Sequence, residues 1–63
     1  MNATSLPTID GIYSLDAPYK RVIIKKIEGE CVRFVWWLNG VVQNTVMELT
    51  KFYSMNPTKE GNL

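Results

Sequence analysis

Apolar and polar residues alternate along much of the chain, which is the pattern of half-buried strands. The clearest case is residues 31–47, where two runs of β-branched and aromatic residues flank Asn39-Gly40. Asn-Gly readily adopts the left-handed backbone angles of a tight turn. The segment therefore predicts a β-hairpin with strands at 31–38 and 41–48.

Three more elements follow from the pattern. Alternation predicts a short strand over 11–15 and a longer one over 19–28. Apolar residues recur at helical spacing over 49–55, which predicts one helical turn, and Asn56-Pro57 ends it.

These elements predict a single, mostly β domain. We expect a flexible arm over 1–10, the domain over 11–55 and a flexible tail over 56–63. The fold class is either a small barrel or a four- to five-stranded antiparallel sheet, with one short helical turn near the C-terminus.

The faces of the predicted strands can be assigned in part. One side of the third strand is apolar throughout and is expected to face the core: Val32, Phe34, Trp36 and Leu38. This assignment leaves Trp37 near the surface. In the second strand, a bulge at Lys25-Lys26 would return Ile27 to the core side.

The register of the hairpin has two readings. A two-residue turn pairs Leu38 with Val41 and turns polar side chains of the fourth strand to the core. A three-residue turn pairs Trp37 with Val41 and turns Val42 and Val46 to the core. We favour the second, because a one-residue slip moves every side chain to the other face and this slip gives the better apolar match.

Length and composition limit the ways in which this domain can be stabilised. A chain of 63 residues allows one domain and buries only about 60% of its unfolded surface. Cys31 is the only cysteine and there is no histidine, so neither an internal disulfide nor a structural zinc site is expected. Stability must then come from close packing or self-association, without a metal or cofactor.

Charge and hydropathy indicate a soluble, cytoplasmic protein. Seven Lys and Arg against six Asp and Glu give a formal charge of +1, whereas dedicated nucleic-acid binders usually carry a larger basic excess. The N-terminal residues lack the basic and apolar regions of a signal peptide. The longest apolar run, over 34–38, is too short to cross a membrane.

The residues for catalysis are sparse. Without histidine the chain lacks the commonest general base, and it has no glycine-rich phosphate loop. The carboxylates lie mostly at turns or ends, where solvated charges are usual; Glu28 and Glu30 flank Gly29. We expect no enzyme activity.

Trp37 is the sharpest candidate for binding. An exposed tryptophan offers the amphipathic surface that dominates protein interfaces. The predicted partner-binding set places apolar residues at the centre and cations at the rim: Trp37, Val35, Ile23, Arg33, Arg21 and Lys25. The competing reading is that a small barrel buries both tryptophans.

Basic residues offer an alternative. A positive stripe could follow a phosphate backbone while Trp37 stacks on a base. Its members would be Lys20, Arg21, Lys25, Lys26 and Arg33. The same residues also suit a solvated sheet face that is guarded against aggregation.

Four segments together carry a resemblance to known proteins: Gly11-Ile12-Tyr13, residues 22–29, Val32-Arg33-Phe34 and residues 47–52. In this order the chain resembles an SH3-like or Tudor-like small β-barrel, and it is similar to short phage and prophage proteins of the same layout. The resemblance implies a module with a fifth strand after the helical turn. The sequence leaves open whether the tail supplies that strand.

The resulting hypothesis is a non-enzymatic, protein-binding accessory or inhibitor module, of a phage or other mobile element. Self-association through the same sheet is a variant of it. The alternative is a small barrel that binds DNA or RNA through the basic stripe.

Overall fold

The computed structural model describes residues 6–63, which form five strands and one helix. In chain order they are β1 (Gly11–Ser14), β2 (Arg21–Glu28), β3 (Cys31–Leu38), β4 (Val41–Glu48), α1 (Leu49–Ser54) and β5 (Thr58–Asn62). All pairs are antiparallel, and the order across the sheet is β4-β3-β2-β1-β5. The mostly β class is confirmed. Among these residues no ladder joins β4 to β5, so the sheet is open rather than closed into a barrel.

The fifth strand lies where the sequence predicted a polar tail. β5 pairs with β1, with Ile12 opposite Gly61 and Tyr13 opposite Lys59. The N–H of Leu63 donates to the carbonyl of Asp10 at 2.8 Å, which extends the pairing by one bond. β5 thus satisfies backbone groups of β1 that would otherwise have only water as a partner.

The predicted N-terminal arm is only partly covered, because residues 1–5 lie outside the described part of the chain. The remainder contacts the domain. Pro7 is buried, the N–H of Thr8 donates to the Tyr13 hydroxyl at 3.1 Å, and the N–H of Asp10 donates to the carbonyl of Ile24 at 2.8 Å.

The β3–β4 turn contains two residues, so the favoured three-residue register was wrong. Leu38 pairs with Val41, and Asn39 and Gly40 have φ of 53° and 80°. Positive φ at both positions is the geometry of a type I′ turn, whose twist matches that of the flanking strands. The side chains of Val42 and Val46, which that register turned to the core, therefore lie on the outer face.

The predicted bulge in β2 is confirmed. The register shifts between Ile24, which faces Phe34, and Lys26, which faces Arg33. The extra residue restores the alternation, and Ile27 packs half-buried against the core.

The core lies between one face of the sheet and α1. Its side chains are Tyr13, Leu15, Val22, Ile24, Val32, Phe34, Trp36, Met47 and Phe52. Phe52 is the only one on the helix, and it is 1% exposed. Its ring centroid lies 5.9 Å from that of Tyr13, with the rings edge to face. Three of the four β3 residues predicted for this face are buried, whereas Leu38 lies beyond the core at the tip of the hairpin and is 48% exposed.

The short helix is held at both ends by the rest of the domain. The N–H of Leu49 donates to the carbonyl of Glu30 in the β2–β3 turn at 2.8 Å. After the last turn, the carbonyl of Met55 accepts from the N–H of Asp16 at 3.1 Å, and the Asn56 side chain donates to the Asp16 carboxylate at 3.0 Å. These bonds fix Phe52 over the sheet, which a six-residue helix could not do alone.

Candidate functional site

The two adjacent tryptophans lie on opposite faces of β3. Trp36 is 9% exposed, its indole N–H donates to the Thr45 hydroxyl at 2.9 Å, and its ring meets Tyr19 edge to face with centroids 4.9 Å apart. Trp37 is 48% exposed. The expectation that Trp37 lies at the surface while Trp36 joins the core is confirmed, and its cause is the alternation of side chains along a strand.

Four exposed apolar residues lie near the end of the β3–β4 hairpin, two on each face of the sheet. Trp37 is directly opposite Val42, and Leu38 is directly opposite Val41. Each of the four is between 48% and 60% exposed. Trp37 and Val42 lie on the outer face, whereas Leu38 and Val41 lie on the face that carries the core, beyond its end. We call the outer-face pair the hairpin patch (Trp37 and Val42).

A half-buried apolar row continues the hairpin patch across the outer face. Val35, two residues before Trp37, is paired with Ile23, and Ile23 is paired with Ile12 on its other side. The structure therefore brings together the apolar part of the predicted site, which is Trp37, Val35 and Ile23. A contiguous apolar surface with polar residues at its rim is typical of an interaction site.

Part of this surface escaped the sequence analysis. Val42 was assigned to the core through the wrong register. The Asn-Gly dipeptide was the signal that could have corrected Val42, since its preference for a two-residue type I′ turn selects the observed pairing.

The predicted cationic rim is mostly neutralised. Arg21 lies 3.3 Å from Glu60, and Lys25 lies 3.7 Å from Asp10. Both pairs are solvent-exposed, so they add little stability, but each places a negative charge beside a positive one. These two residues therefore offer a partner dipolar contacts rather than free positive charge.

Arg33 differs from the other rim residues. Arg33 lies on the outer face of β3, and its partner on β4 is Val46. On β2, the bulge places two residues, Lys25 and Lys26, opposite Arg33. Lys26 is paired with Glu28 at 3.1 Å, whereas Arg33 has no ion-pair partner within residues 6–63. It is the cation of the predicted site that is most available to a partner.

The alternative basic stripe is correspondingly weak. Of its five members, Arg21, Lys25 and Lys26 have carboxylate partners. Only Lys20 and Arg33 are without an ion pair in the described part of the chain. Because most of its cations are paired with carboxylates, the stripe has only a weak positive potential with which to attract a phosphate backbone.

β4 is an edge strand with unused backbone groups. Hydrogen bonds alternate along an antiparallel pair, and in a two-residue hairpin the residues next to the turn exchange the first bonds. Counted from the Leu38–Val41 pair, the N–H and C=O of Val42, Asn44 and Val46 point away from β3. No strand within residues 6–63 covers them.

A cleft lies apart from the hairpin patch, between the N-terminal segment and α1. It has a volume of about 440 Å³ and is lined by Leu6, Pro7, Thr8, Tyr13, Phe52, Tyr53, Pro57 and Lys59. Its lining is largely apolar and aromatic. Two of its aromatic residues, Tyr13 and Phe52, are core side chains that are 9% and 1% exposed.

Within residues 6–63 no group of three or more His, Cys, Asp or Glu side chains is placed to hold a metal ion. Cys31 is half-buried at the start of β3 and carries a free thiol. The only described helix, α1, is too short to cross a membrane.

The hairpin patch, the half-buried row and Arg33 therefore form the surface best suited to binding. Comparison of the chain with models of protein families, with curated proteins and with solved structures finds no match.

Proposed function

We propose that this chain is a non-enzymatic module that binds another protein through the outer face of its β3–β4 hairpin. The observation that carries the proposal is the half-exposed Trp37, set directly against Val42 within the hairpin patch. A tryptophan held on a strand loses little conformational entropy on binding and buries a large area, so it suits the centre of an interface.

The chemistry of the face specifies the partner. Its centre is apolar, so the partner must present an apolar surface of similar size. Arg33 lies at its margin without an ion-pair partner within residues 6–63, so a carboxylate of the partner is expected opposite it. Arg21 and Lys25 stand further out with their own carboxylates and are expected to orient the partner weakly.

The proposal also draws on the sequence resemblance to SH3-like modules, from which the open sheet departs because it is not closed into a barrel. β5 follows α1, as the resemblance implies for a fifth strand. The form of the proposal to test first is an accessory or inhibitor role in a phage or other mobile element, with a host protein as the partner; its motivation is the sequence resemblance to short phage proteins.

The decisive experiment compares Trp37→Ala with Ile9→Ala. The two positions are almost equally exposed, at 48% and 49%, but Ile9 lies outside the hairpin patch. A host protein is first isolated with the wild-type chain, and its affinity for each variant is then measured by calorimetry with the purified partner. We expect Trp37→Ala to weaken binding by about 30-fold or more, and Ile9→Ala to change it less than about twofold.

Retention of full affinity by a folded Trp37→Ala variant would refute the proposal. Circular dichroism establishes the fold of each variant before binding is measured.

Salt dependence separates the proposed function from nucleic-acid binding. An apolar interface with one charged contact should respond weakly to salt, whereas binding to phosphates weakens steeply. We expect no shift of a mixed DNA and RNA pool at about 50 mM salt. A shift that disappears near about 200 mM and requires Lys20 and Arg33 would favour the alternative.

A further inference from the structure

The two edges of the sheet differ in how they are protected. β5, at one edge, carries Lys59 and Glu60, and its register with β1 shifts beside them. Charges and irregularities of this kind discourage another strand from pairing. β4, at the other edge, has eight residues, pairs with β3 without any shift, and carries no charge before Glu48.

We propose that the free edge of β4 pairs with the same edge of a second copy of this chain, in antiparallel orientation about a two-fold axis. The pairing would join the two sheets into one of ten strands. The second copy would occupy the margin of the surface assigned to the protein partner, so the inference rests on the proposed function and names this chain as one occupant of that surface.

Backbone geometry limits the registers that such a pair can adopt. The outward N–H and C=O groups belong to Val42, Asn44 and Val46, so these residues must face their counterparts in the second copy. When the two-fold axis passes through the pair at Asn44, Asn44 of one copy is paired with Asn44 of the other. The two amide side chains then meet on the outer face, where they can exchange a hydrogen bond.

Side-chain matching selects this register over its neighbours. With the axis at Asn44, Val42 of each copy faces Val46 of the other, so β-branched residues meet twice. A shift of the axis toward the turn would set Val42 against Asn44. A shift the other way would set Val42 against Glu48 and cover a carboxylate with apolar surface.

The exposure of these residues agrees with the pairing. Val42 and Val46 are 51% and 61% exposed, so both leave apolar surface open beside the free edge of β4. Trp37 is the direct strand neighbour of Val42, so its ring would lie beside the new contact. No like charges meet in this register, since Glu48 of one copy falls opposite Gly40 of the other.

The dimer is expected to be weak. A standard interface buries about 800 Å² per partner, close to a fifth of the 4220 Å² surface of this chain. One strand edge with its flanking side chains covers less than that. We therefore expect self-association that depends on concentration across the micromolar range.

The main test uses complementary charges at the two facing positions. In the double variant V42K/V46K like charges meet across the axis, and the same is true of V42E/V46E. We expect sedimentation equilibrium to show that each variant alone is monomeric under conditions where the wild type dimerises. An equimolar mixture should restore a dimer, because Lys at position 42 then meets Glu at position 46 of the other copy.

Ile9→Lys is the matched control, because it introduces a lysine at an exposed apolar position away from β4. It should dimerise as the wild type does. A register shifted toward Glu48 is also tested, since V42K/V46K would then place Lys against Glu and remain dimeric.

A cross-link provides a second measurement that does not depend on the charged variants folding. Facing residues that exchange hydrogen bonds have Cα atoms about 5.5 Å apart, within the range for a disulfide. In a Cys31→Ser background, Asn44→Cys should form a disulfide-linked dimer on mild oxidation. Thr50→Cys, exposed on α1, should remain largely monomeric.

Two results would overturn the inference. One is a wild-type chain that stays monomeric up to about 1 mM, a concentration at which even weak pairs associate. The other is equal cross-linking of Asn44→Cys and Thr50→Cys. Neither result touches the proposed function, which fails only if Trp37→Ala binds the purified host protein as tightly as the wild type does.

Discussion

At the scale of single residues, the contact between Trp36 and Thr45 shows why a polar side chain lies over the core. The observed β3–β4 register places the Thr45 hydroxyl over the core, at a position where an apolar side chain would be expected. That hydroxyl accepts the indole N–H of Trp36 at 2.9 Å. Without it, a tryptophan that is 9% exposed would have to bury its only donor without a partner, which is unfavourable.

We therefore expect Thr45→Val to lower the free energy of unfolding by about 1–2 kcal/mol, although valine has nearly the same shape. Urea denaturation measures the change. In a Trp36→Phe background the same substitution should cost less than about 0.5 kcal/mol, because no N–H remains to be satisfied. Equal losses in the two backgrounds would show that the hydrogen bond contributes nothing.

At the scale of elements, the β3–β4 turn determines which residues of β4 face outward. Gly40 has a φ of 80°, and a Cβ placed there would meet no atom of residues 6–63 within 4 Å. The need for glycine is thus conformational and not steric. The turn also determines that Trp37 pairs with Val42, and this pairing forms the hairpin patch.

Gly40→Ala should destabilise the domain by about 1–2 kcal/mol through backbone strain alone. Gly40→Asn should cost clearly less, because asparagine adopts left-handed angles more readily than alanine. Thermal denaturation of the two variants checks the order. If alanine is tolerated as well as asparagine, strain at this position does not limit the turn.

At the scale of the whole molecule, the sheet is open, and its two ends are stabilised in different ways. β5 contributes almost no buried side chains, yet it pairs along the whole of β1. β1 carries the core residue Tyr13 and leads directly to Leu15. The backbone pairing of β5 therefore holds one side of the core in place.

A chain that ends at Pro57 should lose about 2–4 kcal/mol, since each lost hydrogen bond contributes roughly 0.5–1.5 kcal/mol. That is a large part of the stability of so small a domain. The 63-residue chain with serine in place of Lys59, Glu60 and Asn62 keeps the backbone bonds and should change by less than about 1 kcal/mol. Circular dichroism during heating compares the two, and comparable losses would assign the effect to the side chains instead.

Local chemistry explains what could be predicted from the sequence. The hairpin, the helical turn and the apolar face of β3 depend on residues that are close together in the sequence. Hydrophobic periodicity and the Asn39-Gly40 dipeptide therefore predict them. The exposure of Trp37 follows from the same alternation. β5 could not be found this way, because its residues show no apolar alternation and it forms only against the free edge of β1.

The candidate site likewise has one part that could be predicted from the sequence and one part that could not. Trp37, Val35 and Ile23 were identified from strand alternation, and the structure places them on one face. The neutralisation of the rim was not predictable, because its ion pairs join residues far apart in the chain, such as Arg21 and Glu60.

By itself, the sequence determined the class of the fold, the place of the main hairpin and the division of the two tryptophans between core and surface. The register of that hairpin, the fifth strand, the unprotected edge of β4 and the pairing of the cations were decided by the tertiary structure. Side-chain periodicity and turn chemistry act over a few residues and can be read locally. Strand partners and ion pairs depend on which distant segments meet, and only the folded chain brings those segments together.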